Sequence, residues 1–478
     1  MGPRRDRQSW AAISIIVLSS APALAQTPLG PSQGLGGAFD LSQGSSGPNA
    51  PAHIFDYGAD VGIGETDNVT LAPSNKISQT MATADVDFDL KEQSRRLQVD
   101  AKGNFVDLDY LQGAYGNQLL GRFDGIADLG LWPEHLIWAV RDDFGQVGLD
   151  PYMPVTPGNI EDVNYFSTGP DWLLRFGATS FMDLDLRYAR AQYQTSDFDS
   201  NRLIGNLAWG LNLSSRSTLS LNAATERVMF EDTRVNLDFD RTRAYARYEL
   251  QGARTDIAID LGASLIDQSG TSTSGSLAKL ELSRRLSAAS KLTLSAGREL
   301  TDPSSSFATL QSGASGIIGV GSAPQTGQSY NVDFASAGWQ YARHRTTLAL
   351  SFQWEKDNYL NQPQFDLERL GGEFRVSRRL TRRLTTQLFG RLYRNDYPNV
   401  RLAAASGSSN YDNLIVGGDL QWRAGRTLVV DLRYNYNSWV VAAPGHGYRA
   451  NEVFVTVGYR PHRAINETQE EPESPGAL

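Results

Sequence analysis

The residues best suited to acid–base or metal chemistry are few and scattered. Five histidines occur. His53 and His462 sit beside the two tails, His135 and His344 at short polar turns, and His446 in a long loop. A hydrolytic site built on a wall of strands needs a Ser or Asp positioned by a His. Only His446 lies on the long-loop side, and no such partner pattern surrounds it. Asp197-Phe198-Asp199 and Asp238-Phe239-Asp240 offer oxygen ligands, but neither is set in a twelve-residue calcium loop. The lack of cysteine removes thiol nucleophiles, disulfides and thiolate zinc sites. No glycine-rich phosphate loop follows a strand. The sequence therefore reads as that of a non-enzyme, with no cofactor and no metal.

The remaining chemistry is electrostatic, and its period is two. Asp85, Asp87 and Asp89 alternate with Val86, Phe88 and Leu90, and Asp100 and Lys102 alternate with Val99 and Ala101. The same alternation puts Asp183, Asp185, Arg187, Arg243, Arg247, Glu249, Lys279 and Glu281 on polar rows. Arg369, Glu373, Arg375, Arg391, Asp431 and Arg433 complete the set. Successive side chains of a strand point to opposite faces, so each segment has one charged and one apolar face. If the charged faces line a pore, the two signs set a field that sorts charged or hydroxylated solutes. Taken singly, such residues also pair across strands and hold a wet wall together.

The elements that carry these rows are strands throughout. No stretch shows apolar residues at helical spacing, so helix is expected to be essentially absent. Short polar turns recur near Ser94–Arg96, Pro133–Glu134, Gly177–Thr179, Ser214–Arg216, Ala253–Arg254, Ala288–Ser290, Arg343–Arg345, Thr381–Arg382 and Ala424–Gly425. Between them lie longer polar segments such as Asp67–Ser78, Leu149–Asn159, Thr301–Gln328, Asn358–Phe365, Asn395–Ser409 and Val440–Tyr448. With strands at Phe55–Glu65 and Ala450–Arg460, the spacing predicts an all-β fold. It is a transmembrane up-and-down antiparallel barrel of about 20 strands (18–22), with short periplasmic turns and long extracellular loops. A propeller blade would hold four short strands per repeat, where these repeats hold two long ones. Side chains could not fill so wide a lumen, which favours a polar interior and a lipid-facing apolar exterior. Trp132, Trp138, Trp172, Trp209, Trp339 and Trp422 fall near short turns, and Trp354 and Trp439 towards the long loops. Together they predict aromatic girdles at both rims. Leu310–Ala323 and Asp150–Pro157 either fold inward as constrictions or stand out as exposed loops.

Composition agrees with this reading. The 478 residues are 40% hydrophobic and 20% charged, and beyond residue 25 no run of about 18 apolar residues occurs. A net charge of −9 argues against a nucleic-acid partner. Residues 1–25, with Arg4, Arg5 and Arg7, a short apolar stretch and Ala23-Leu24-Ala25, read as a signal peptide. Residues 26–54 read as a flexible periplasmic leader, 55–460 as the barrel and 461–478 as a disordered acidic tail. Both ends then fall in the periplasm, and the expected location is a bacterial outer membrane. The expected partners are outer-membrane lipid and the barrel-assembly machinery, for which Tyr459 is the candidate aromatic signal.

The segment Gly64-Glu65-Thr66-Asp67-Asn68-Val69-Thr70-Leu71-Ala72-Pro73-Ser74 resembles the opening of a family of outer-membrane β-barrel porins. Members often carry an E-x-x-x-D-N-x-x-L-A-P-like stretch there, and many are encoded beside exopolysaccharide and PEP-CTERM (exosortase) genes. Here Glu65 directly precedes Thr66-Asp67-Asn68, without the intervening residues. Ser-Arg-Arg-Leu at Ser94–Leu97, Ser283–Leu286 and Ser377–Leu380 is also similar to that family. The resemblance implies a porin-like channel or export component, with polysaccharide as solute and envelope export proteins as partners. A structural or surface-interaction barrel with a closed pore is the alternative. An energy-coupled receptor is not expected, because residues 26–54 are too short for a plug domain.

Overall fold

The computed structural model describes residues 52–234, 236–311, 327–400, 410–441 and 447–461. The signal-peptide reading, most of the leader and tail, His446 and His462 lie outside the described residues. Twenty strands follow one another: β1 (Ala52–Thr66), β2 (Gln79–Gln93), β3 (Leu97–Tyr110), β4 (Gln118–Trp132), β5 (Leu136–Gly148), β6 (Ile160–Phe176) and β7 (Ser180–Tyr193). Next come β8 (Ser200–Ser214), β9 (Ser217–Phe230), β10 (Phe239–Gln251), β11 (Thr255–Gln268), β12 (Thr271–Ser287), β13 (Ser290–Thr301) and β14 (Tyr330–Arg343). The last six are β15 (Thr346–Tyr359), β16 (Leu367–Arg379), β17 (Leu384–Asp396), β18 (Asn410–Arg423), β19 (Leu428–Val441) and β20 (Tyr448–Tyr459). Each pairs antiparallel with its neighbours in sequence. The first and last close the ring from Ala59 opposite Tyr459 to Thr66 opposite Glu452. Every short turn predicted above joins two strands at one rim. Closure pairs β1 with β20 and so leaves the sheet without the open edge that lipid would not tolerate.

The two faces of this wall separate as the alternation requires. Val61 is 63% exposed, Leu119 66% and Leu388 57%, and the residues between them in each strand point inward. An apolar face that water or lipid reaches on a closed barrel is the outer one.

Two features depart from the sequence reading. The interior is not uniformly polar: Val147, Val163, Tyr165, Ala189, Ala191, Tyr193 and Ile204 form a buried apolar patch on the inner wall of β5–β8. A helix also exists. α1 (Pro303–Gln311) follows β13, and its Phe307 and Ala308 pack on that patch. The local sequence explains the helix. Asp302 precedes Pro303, and the Asp302 carboxylate accepts from the Ser305 backbone N–H and from the Ser305 hydroxyl at 2.6 Å. Asp at the N-cap followed by Pro at the first helical position is a helix-start signal that one helical turn of polar serines conceals from a hydrophobic-period search.

Candidate functional site

α1 is carried by the segment joining β13 to β14, yet it rests against β5 and β6 on the other side of the lumen. Four charged side chains fix it there. Arg202 on β8, Glu226 on β9 and Arg241 on β10 lie on adjacent inner rows, with Glu226 opposite Arg241 and Arg202 opposite Val228. Asp302 arrives from the segment. Arg202 Nη2 donates to Asp302 Oδ2 at 2.6 Å, and its Nη1 donates to Glu226 Oε1 at 3.0 Å. Arg241 donates to Glu226 and lies 3.2 Å from Asp302 Oδ1. Both guanidiniums also donate to Ser305 Oγ, at 3.0 and 3.1 Å. All four side chains are at most 2% exposed. Two cations and two anions make the group neutral, which is the condition under which charges survive burial. Burial pushes the Asp302 carboxyl up, but the Arg202 and Arg241 guanidiniums outweigh it and hold the group well below the usual carboxylate range. Tyr193 and Ser304 share a 2.8 Å hydrogen bond, and Ser306 and Tyr330 one of 2.7 Å. Arg141 donates to the Ala308 carbonyl at 2.6 Å.

A second segment crosses the long-loop mouth. Residues 149–159 are braced internally by Asn159, whose amide donates to the Asp150 and Pro154 carbonyls while its oxygen accepts from the Asp150 N–H. β5 and β6 stand ten strands from β15 and β16 in a ring of 20, so they face each other. Tyr152 nevertheless donates to the Gln364 carbonyl at 2.7 Å and meets the Tyr397 ring edge-on at 4.8 Å. Tyr411 donates to the Pro151 carbonyl at 3.1 Å. The Asp150–Pro157 segment therefore bridges opposite walls. Of the Leu310–Ala323 segment only the first residues are described, and the part preceding it is drawn inward.

The charged residues singled out in the sequence all lie on rows opposite the exposed apolar ones. Asp85 accepts from Asn104 at 2.8 Å, Asp87 lies 3.8 Å from Arg460, and Asp89 stands opposite Lys102. Lys102 is 3.7 Å from Asp100, and Arg187 pairs with Asp171, which stands opposite Asp185 with Asp183 beside it. Arg247 joins Glu249 and Asp260, and Lys279 joins Glu299 at 2.7 Å. Arg369 lies 3.8 Å from Glu355, Arg391 the same distance from Glu373, and Arg433 3.5 Å from Asp419. Arg243 is opposite Ser264, Glu281 opposite Ser295, Arg375 opposite Ala349 and Asp431 opposite Gln421. The buried group of Arg202, Glu226, Arg241 and Asp302 was not among them. Its residues alternate like the rest, and only the inward path of the β13–β14 segment brings Asp302 to the other three.

Trp132, Trp138, Trp172, Trp209 and Trp422 are 37–63% exposed on the outer face near the short turns. Trp339 and Trp354 are on the same face, donating to Ser290 and Glu368. Trp439 corrects the girdle reading. It is 4% exposed, alternates with the outward Tyr434 and Val440, and packs inside against Tyr411 and Tyr448. Asp199 and Asp238 accept from the Tyr193 and Phe230 N–H groups and so brace loops. His53 contacts Glu92, and His135 packs on Trp132.

A closed antiparallel ring of 20 strands, apolar outside and charged within, is a transmembrane β-barrel. No known family matches the chain, and no curated protein does. Among solved structures it is similar to the FrpB iron transporter of Neisseria meningitidis, at 10% identity and a TM-score of 0.45 over 88% of this chain and 83% of that one. A ferric enterobactin receptor of Pseudomonas aeruginosa gives 10% identity and 0.46, over 86% and 81%. The copper transporter OprC gives 9% and 0.43, over 86% and 81%. Likeness of this degree transfers no cargo or coupling to this chain.

Proposed function

We propose that this protein is a bacterial outer-membrane channel for polar solutes whose long-loop half is restricted by the inward α1 segment. The observation that carries the reading is the neutral buried group of Arg202, Glu226, Arg241 and Asp302. A barrel needs no such group for its own closure, and it ties a connecting segment into the lumen. The paired charges of the inner rows then form the solute path, with the short turns and both termini on the periplasmic side. Exopolysaccharide, which the sequence resemblance implies, is the proposed cargo, in keeping with a wall rich in hydrogen-bonding carboxylates and guanidiniums. Conductance across a planar bilayer tests the channel. A purified, folded barrel that never conducts, even after Asp302→Asn, overturns it. For the cargo, a deletion strain should lose surface polymer while keeping general solute uptake, and normal polymer output rules the export role out. The bridge from Tyr152 to Tyr397 and Gln364 favours a second reading, a barrel with a permanently closed mouth that acts through its loops.

A further inference from the structure

The Ser-Arg-Arg-Leu motif finds no role in the solute path. Its first Arg falls on the outer face of β12 and β16, and its Leu is exposed at the end of the strand. Leu280, Leu286, Leu370, Phe374 and Leu380 are 41–48% exposed, and Arg284 and Arg378 alternate in step with them. Arg378 stands opposite Thr346, and Thr346 stands opposite Arg343 on the other side. The outer wall therefore carries the row Arg343, Thr346, Arg378 at the short-turn rim. Paired neighbours are about 5 Å apart, so the two arginine backbones are roughly 10 Å apart with a hydroxyl between them. Two long side chains can converge on one tetrahedral anion at that spacing. Arg284 stands opposite Leu292, which stands opposite Trp339. The turns add exposed Arg345, Arg382 and Arg383. Over this half of β12–β17 the outward rows contain no Asp or Glu.

We propose that Arg343, Thr346 and Arg378 form a binding site for the phosphodiester headgroup of an anionic phospholipid in the leaflet at the short-turn rim. Exposed leucines beside the arginines and Trp339 nearby put the guanidiniums where acyl chains meet headgroups. A soluble acidic protein would meet the cations but not the leucines. The site is independent of what the lumen carries.

The full chain in phosphatidylcholine vesicles, probed with spin-labelled phosphatidylglycerol and phosphatidylcholine, tests this by the motionally restricted fraction of each label. The site in the wild type should prefer phosphatidylglycerol roughly 30-fold, the factor given by about 1 kcal/mol for each of its two basic groups at an anionic surface. Salt should reduce the preference. Arg343→Gln/Arg378→Gln should bring it close to equality, and Arg343→Lys/Arg378→Lys should keep part of it, which separates lost charge from lost fold. Equal association of the two labels with the wild type, or an unchanged preference in the Gln variant, overturns the proposal. The first of these results would leave the arginines to an acidic protein partner.

Discussion

Replacing Asp302 with Asn is the most direct probe of the inward segment. It removes one of the two carboxylates that neutralise Arg202 and Arg241, in a site at most 2% exposed. The surplus cation stays buried only while the segment is docked, because undocking opens the site to water. Removing one partner of a buried ion pair costs about 3–5 kcal/mol. The docking equilibrium should therefore shift by roughly 10²–10⁴ towards release. Single-channel recording reads this as time spent at the larger conductance. The companion Arg202→Met/Glu226→Leu/Arg241→Met/Asp302→Leu removes every charge at once, a change that is often neutral or stabilising. It should return the record to that of the wild type. If Asp302→Asn leaves conductance and open time unchanged, or if the apolar quadruple variant behaves like the single one, the segment is not held by this group.

The same carboxylate sets a pH expectation. Its folded value lies below the ordinary 3.8, so its contribution is complete above that value and is lost only as pH falls through the lower folded one. Conductance should show no release step attributable to Asp302 between pH 7 and about pH 4.5, and a step there would contradict the assignment. Tyr152→Ala removes a ring contact and a hydrogen bond to Gln364, together worth about 1–3 kcal/mol. Limited proteolysis should then cut within 149–159 faster, with barrel unfolding unchanged. Trp439→Ala should lower stability to urea by about 3–5 kcal/mol, as for a buried aromatic ring. Trp209→Ala, 52% exposed on the outer face, should cost far less, and equal losses would restore Trp439 to the girdle. Leu388→Arg on the outer row should cost about 2–4 kcal/mol in vesicles, and Gln387→Arg on the inner row little.

Much of the barrel is legible along the chain because a strand's alternation is a local property. Asp85 to Leu90 declares two faces whatever surrounds it, and Ser94–Arg96 declares a turn. The buried group was hidden for the opposite reason. Arg202, Glu226 and Arg241 look like any other inward charges, and their partner is 61 residues beyond Arg241 on a connecting segment. Trp439 was misplaced because position near a strand end suggests a girdle, whereas the face it occupies depends on its parity with Tyr434 and Val440.

By itself the sequence determined the up-and-down direction of about 20 strands, which rim has short turns, and which residues share a face; the structure fixed the count at 20. Those follow from a period of two and from turn chemistry, each acting over a few residues. Only the tertiary structure decided what closure brings together: β1 against β20, Tyr152 against Tyr397 across the mouth, and Asp302 between two arginines. Closing the ring brings side chains distant in sequence within hydrogen-bond reach, and no local pattern encodes that distance.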